Sequence, residues 1–212
     1  GALMAGSSAE REIRDATVAR ARSLMPGARI IHELVVGGCR ADVAAVERDR
    51  ITLFEIKSEK DTLDRLEKQA ATFHKSAHAT IIVAHEKWFN GRGWFSGPML
   101  SGTVWRYPEP ERKASWTPHV WDLPRQSLKQ PAPRIILDLM WRAEMVAEAV
   151  WHGLPAVRRM SMEKIKDEMA WAMTGRQIAE AVCRQLRARP FPEADPPIID
   201  GAAAITKREV YA

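Results

Sequence analysis

Polar and apolar positions alternate at helical spacing from Ser8 to Leu24, where Ile13, Ala16, Thr17, Arg20 and Leu24 mark one face and acids precede arginines. This pattern predicts a first helix with Ser7 or Ser8 as its cap. After the Pro26-Gly27 break come three β-rich runs, Arg29–Val36, Arg40–Val46 and Ile51–Lys57, separated by Gly37-Gly38 and by Glu47-Arg48-Asp49-Arg50. Separators this short and turn-like predict an antiparallel meander. Ser58-Glu59-Lys60-Asp61 fits a capping box, and Leu63, Leu66, Ala70 and Phe73 then continue at helical spacing, so a second helix is expected from there to about Ser76. Thr80-Ile81-Ile82-Val83-Ala84 is a continuous apolar run of the kind buried on both faces of a sheet. A strand, a crossover helix and a further strand should pair parallel with a right-handed connection. The expected order is α-β-β-β-α-β, an α/β fold.

The pattern changes after residue 86. Trp88, Trp94, Trp105, Trp116 and Trp121 are scattered among Gly, Pro and basic residues over 87–132, with one short strand expected at Gly102–Trp105. From Pro133 a helical pattern returns: Ile135, Ile136, Leu139, Met140, Ala143, Val146, Ala147 and Val150 predict one long amphipathic helix ending near Gly153. Two more helices are expected at Ser161–Met173 and Thr174–Arg189, the second opened by the capping box Thr174-Gly175-Arg176-Gln177. The reading divides the chain into a core at 8–86, a Trp-rich irregular region at 87–132, a helical part at 133–189 and a proline-rich, irregular tail at 190–212. Gly1-Ala2-Leu3 ahead of Met4 reads as a cloning remnant.

Composition narrows the function classes modestly. With 46% hydrophobic and 28% charged residues the chain can bury one good core. It has no apolar run near the roughly 20 residues that a membrane helix needs and no secretory pattern, so a cytoplasmic protein is expected. Cys39 and Cys183 lie far apart without metal-ligand spacing, which suits a reducing compartment and argues against zinc. The histidines form no metal-binding motif. Lys and Arg number 32 against 27 Asp and Glu, a net charge of +5 that permits a polyanionic partner without requiring one.

The candidate chemistry lies on the meander. Asp42 is on the second run, and Glu55 and Lys57 are two apart on the third, so the latter pair shares a face. An antiparallel pairing can bring Asp42 and Glu55 within a few ångströms. Two carboxylates so placed repel unless a proton, an arginine or a metal lies between them. A hard divalent ion such as Mg²⁺ or Mn²⁺ suits such oxygens, and a lysine beside it can orient a water for attack on phosphorus. The plainer alternative is a solvated edge-strand pair, with Arg40 neutralising Asp42.

The stretch "RADVAAVERDRITLFEIKS" resembles the Asp…Glu-x-Lys signature of the PD-(D/E)XK nuclease superfamily, and "FEIKSEKDTLDRL" followed by Gln69 is similar to uncharacterised bacterial and phage nuclease-like proteins. The resemblance implies a restriction-endonuclease-like core, with a mixed central sheet flanked by helices and a C-terminal helical extension. Asp42, Glu55 and the Ile56 carbonyl would be metal ligands and Lys57 would position the nucleophile. Ala41 stands where the superfamily's proline often precedes the aspartate. "AEREI" at Ala9–Ile13 is similar to the first helix of archaeal Holliday-junction resolvases, which implies that Glu10 completes the metal shell, with Glu12 and Glu33 as rival acids. "QAATF" resembles the Gln-x-x-x-Tyr motif of the exonuclease branch with Phe73 in place of tyrosine, which implies a role for Gln69 in the site. "ILDLMWRAEMVAEAVWHGL" at Ile136–Leu154 is similar to the helical part of the same uncharacterised group.

On this reading the chain is a Mg²⁺- or Mn²⁺-dependent deoxyribonuclease. DNA is its partner, and Arg40, Lys60, Arg65, Arg92 and Arg106 are candidate contacts. Enzymes of this fold often pair to cut two strands, so a homodimer is compatible. Tryptophans among Lys87, Arg92, Arg106, Arg112 and Lys113 either stack on unpaired bases or anchor irregular loops by packing. Arg158, Arg159, Lys164, Arg176, Arg184 and Arg187 offer either a phosphate-binding face or a solvated one. The alternative function is a protein that keeps the nuclease fold without turnover and binds DNA or a protein partner, as a repair accessory or a phage factor acting on host defence.

Overall fold

The computed structural model describes residues 7–125 and 130–210, with side chains to residue 208. Gly1-Ala2-Leu3, read above as a cloning remnant, lie outside the described residues. The N-terminal half contains helix α1 (Ser8–Leu24) and strands β1 (Arg29–Val36), β2 (Cys39–Val46) and β3 (Ile51–Lys57). Helix α2 (Leu66–Ser76) and strands β4 (Ala79–His85) and β5 (Thr103–Tyr107) follow. The helices of the second half are α3 (Pro133–Leu137), α4 (Arg142–Trp151), α5 (Met162–Ala172), α6 (Gly175–Ala188) and α7 (Ala202–Val210). Ser7 caps α1 by accepting the Glu10 amide at 3.2 Å.

The sheet has five strands in the order β1-β2-β3-β4-β5. β1, β2 and β3 form the expected antiparallel meander, and β3-β4 and β4-β5 are parallel, so the sheet is mixed. Gly37 and Gly38 make the β1–β2 turn at φ 55° and 81°, and a Cβ at Gly37 would come within 2.7 Å of the Thr72 methyl. On one face, Ile13 of α1 packs with Val43, Phe54, Ile81, Val83 and Trp105. On the other, Ala44, Val46, Leu53 and Phe73 share one apolar layer with Ile136, Met145, Ile165, Val182 and Leu186 of the C-terminal helices. Those helices therefore complete the burial of the sheet.

The structure corrects three expectations. α2 starts at Leu66, not near Ser58: the Ser58 amide and hydroxyl both donate to Asp61 Oδ2, at 2.7 and 2.8 Å, which closes a turn instead of capping a helix. The long helix expected to Gly153 breaks into α3 and α4. At the break Arg189 takes the Leu139 carbonyl at 2.8 Å, and the Trp141 amide donates to Glu144 Oε1 at 2.8 Å, starting a new helix. The region after Pro190 is structured. Ala194 bridges Ile31, the His32 amide donates to the Glu193 carbonyl and the Asp195 amide to the Ile30 carbonyl, so this segment covers the β1 edge before α7 forms.

The tryptophans divide by role. Trp105 is fully buried and stacks on Trp121 with centroids 5.2 Å apart and planes 13° apart, and the indole N–H groups donate to the Asp122 and Arg106 carbonyls. Packing explains these two. Trp94 and Trp116 keep 52% and 78% of their surface exposed, so packing does not explain them. Among the described residues no helix is long and apolar enough to cross a membrane.

Candidate active site

The site forms where the β1–β2–β3 meander departs from regular alternation. Ala44 and Val46 face the helical layer and Val43 and Ala45 face the α1 layer, so strict alternation would put Ala41 with the latter. It packs in the helical layer instead. On β1 the same slip occurs, because Ile31 and Leu34 lie in one layer although three residues apart. The register pairs His32 with Val43 and Leu34 with Ala41, leaving Glu33 opposite Asp42 at the slip. Glu33 takes a φ of 59°, a left-handed conformation that costs a non-glycine residue about 1 kcal/mol or more. Strain of this kind persists where surrounding contacts hold it, and here they do.

The slip turns Asp42 toward β3. Its Oδ2 accepts the Ile56 amide at 2.7 Å, replacing a ladder bond beyond the last paired residues, Val43 and Phe54. The amide and carbonyl of one residue in an extended strand lie on the same edge, so the Ile56 carbonyl also faces this side. The Asp42 and Glu55 carboxyls lie close enough that each affects the other's ionisation. Glu55 is 3% exposed, and its Oε2 is buried with no hydrogen-bond partner. Lys57 Nζ donates to Glu55 Oε1 at 3.1 Å and to Gln69 Oε1 of α2 at 3.2 Å.

The electrostatics follow from this crowding. Burial, followed by the Glu55 charge, holds the Asp42 carboxyl well above its ordinary value, against the pull of the Ile56 amide and Arg14. Burial likewise raises Glu55, opposed mainly by Lys57. The pair behaves as one unit that keeps a proton more tightly than free carboxyls do.

Arg14 on α1 is the residue that the sequence reading passed over. Its side chain is 7% exposed. It donates to Glu10 Oε1 at 2.7 Å, to the Asp42 carbonyl at 2.8 Å and to Glu33 Oε1 at 2.9 Å, and it lies 3.4 Å from Asp42 Oδ1. Its Nη1 also lies 3.3 Å from His32 Nδ1, and burial holds the His32 imidazole below its ordinary value, so the ring faces the guanidinium as a neutral acceptor. The available signal was an arginine one turn after Glu10 on the inward flank of an amphipathic helix.

Of the predicted residues, Asp42, Glu55, Ile56, Lys57 and Gln69 come together. Glu10 does not join them directly, because the Arg14 guanidinium stands between it and Asp42. Glu12 pairs with the Tyr107 hydroxyl, away from Asp42. Glu33 is held by Arg14 and by Arg40, whose Nε lies 2.8 Å from Glu33 Oε2, so Arg40 neutralises Glu33 and not Asp42. Lys60 and Arg65 are exposed on the turn that follows Lys57, and Arg92 is exposed at a hairpin tip. Arg106 is half-buried on β5, 3.5 Å from Glu86.

These residues fit a divalent cation in part. Two adjacent carboxyls, an unpartnered buried oxygen and a backbone carbonyl on the same edge are the oxygen donors that Mg²⁺ or Mn²⁺ takes. Among the described residues, no three His, Cys, Asp or Glu side chains converge on one point, because Glu10 and Glu33 are turned to Arg14.

Residues 6–91 match a family model described as Bacteriophage P4 protein cII. The match runs from α1 through β4 and so includes Glu10, Arg14, Glu33, Asp42, Glu55, Lys57 and Gln69, but not β5 or the C-terminal helices. No curated protein and no solved structure matches the chain.

Proposed function

We propose that the chain has a PD-(D/E)XK-like core and is a Mg²⁺- or Mn²⁺-dependent nuclease that hydrolyses DNA phosphodiesters. The supporting observation is Glu55: a buried carboxylate with one oxygen unpartnered, pressed against a second carboxyl and bonded to a lysine. In a site built only for stability such an oxygen would be expected to have a donor. Asp42, Glu55 and the Ile56 carbonyl would hold the metal. The ion, when bound, supplies Lewis-acid activation of water and of the phosphoryl oxygen.

The protein groups do the rest. The Ile56 amide fixes Asp42, and Gln69 and Glu55 between them aim the Lys57 ammonium. Lys57 then serves as a compact positive charge next to developing negative charge on phosphorus. Purified protein incubated with single-stranded, duplex and branched DNA and Mn²⁺ tests the reading. Cleavage is expected, and Lys57→Ala should lower its rate on the order of 10²-fold with the fold unchanged. No cleavage of any substrate, or an undiminished rate in Lys57→Ala, overturns it.

Arg14 favours a second reading, a nuclease-fold protein that binds without turnover. A guanidinium that already serves Asp42, Glu10 and Glu33 supplies internally much of the charge a metal would bring. This reading expects nucleic-acid binding that survives Asp42→Ala and weakens with salt, each neutralised duplex phosphate adding about 0.9 to the log-log slope. A pull-down that recovers a protein and no nucleic acid points instead to a protein partner.

A further inference from the structure

The Trp-rich region carries a short hairpin anchored beside the candidate site. Phe89 and Phe95 bridge antiparallel, the Asn90 amide donates to the Trp94 carbonyl at 2.9 Å, and the Ser96 amide donates to the Trp88 carbonyl at 2.9 Å. Asn90 Oδ1 accepts the Arg92 and Trp94 amides at 2.9 and 3.1 Å, which sets the loop and places Arg92 at the tip between Gly91 and Gly93. The Trp88 indole donates to the Ser58 carbonyl at 3.1 Å, and Lys87 Nζ donates to the Glu59 carbonyl. Ser58 follows Lys57 directly, so the hairpin is tied to the end of the strand that bears the site.

Trp94 is exposed yet held in place. Its ring stands edge-on to His119, centroids 5.9 Å apart at 82°, and His119 stands edge-on to Phe89 at 5.0 Å. Both ring nitrogens of His119 are engaged, Nδ1 with the Val104 carbonyl at 2.9 Å and Nε2 as acceptor of the Phe95 amide at 3.4 Å. The histidine therefore cannot turn away. It sits at a φ of 60°, a left-handed setting that persists because these contacts hold it. The result is an aromatic ring backed by His119 with 52% of its surface in water, on the same hairpin as the exposed Arg92, and the hairpin is tied to the turn that carries the exposed Lys60. An exposed indole backed on one side by an imidazole, on a hairpin that carries an arginine at its tip, matches an unpaired nucleobase with its phosphate, because the base stacks and the cation neutralises.

We infer that Trp94, with Arg92, is a stacking platform for an unpaired base of single-stranded nucleic acid entering the candidate site. The inference rests on the nuclease reading only for where the strand leads; stacking itself needs no metal and no turnover. Anisotropy of a labelled oligothymidylate, the matching oligouridylate and a duplex, all measured in EDTA, separates the two.

Trp94→Ala should weaken binding of the thymidylate about tenfold, the order of one base–aromatic stack, and leave the duplex unchanged. Trp94→Phe should restore most of the loss. Arg92→Ala should weaken both and lower the single-strand salt slope by about 0.7. A loss on uridylate as well assigns the platform to single strands of either sugar. Unchanged single-strand binding in Trp94→Ala, an equal loss on duplex, or no oligonucleotide binding by the wild type overturns the inference and leaves the ring to a protein contact. Failure to cleave DNA in Mn²⁺ while Trp94→Ala still loses the thymidylate overturns only the nuclease reading.

Discussion

Asp42→Asn is expected to abolish Mn²⁺-dependent cleavage while raising the melting temperature of the metal-free protein at about pH 8. The loss of activity should reach roughly three orders of magnitude, because the several kcal/mol that a bound cation contributes depends on this carboxylate. The gain in stability follows from the raised carboxyls of the pair. A folded-state value above the unfolded one means that the native state holds the proton more tightly. The pair's contribution is therefore fully present below the ordinary carboxylate values near 4 and is lost as pH rises through the raised native ones. Asparagine keeps an oxygen for the Ile56 amide and cannot ionise, so it removes that loss. Melting curves in EDTA should favour the variant at about pH 8 and converge with the wild type near pH 4. In the wild type, stabilisation by Mn²⁺ should grow over the same rise in pH. A variant that melts below the wild type at the higher pH contradicts the repulsive pair.

Local pattern carried the sheet well, and its limits are instructive. The first three strands follow from β-rich runs separated by short turns and the fourth from a continuous apolar run after a crossover helix, and the adjacency of Asp42 and Glu55 follows from the register that those turns impose. Motif resemblance implied only a role for Gln69 in the site; that it bonds Lys57 from α2 is read from the structure. What local pattern misses is a side chain whose partners are distant in sequence. Arg189 splits the long helix by taking the Leu139 carbonyl from about fifty residues away, and nothing around Leu139 announces it. The segment at 193–195 reads as proline-rich coil because its pairing partner, β1, lies more than a hundred residues upstream. Ser58 and Asp61 have the spacing of a capping box, but the acid closes a turn, and the same four letters serve either geometry. Glu33 and Asp42 occupy a slip in alternation, which a strict period of two cannot represent.

Arg14→Ala should be the most destabilising single change at the site, by about 3 kcal/mol in the absence of metal. The side chain is buried and serves Glu10, Glu33 and Asp42 together, so its loss leaves Glu10 and Asp42 without the cation between them and Glu33 with Arg40 alone. Glu33 would also lose one of the contacts that hold its left-handed backbone, although Arg40 remains. Arg14→Lys should fall between the two, because a single ammonium cannot reproduce the guanidinium fork. The response to Mn²⁺ decides what the arginine does. Where Arg14 stands in for a metal's charge, its removal frees Glu10 and Asp42 to take the ion, and Mn²⁺ should raise the melting temperature of Arg14→Ala more than that of the wild type. Where it instead positions the Asp42 carboxylate for the ion, the variant should bind Mn²⁺ more weakly and recover less. The Arg14→Ala, Asp42→Asn double variant separates these terms, since the two residues touch and their effects should fail to add by the energy of that contact. A large recovery in the single variant that vanishes in the double one would mark Asp42 as the ligand through which the cation acts, with Arg14 as its occupant in the metal-free protein.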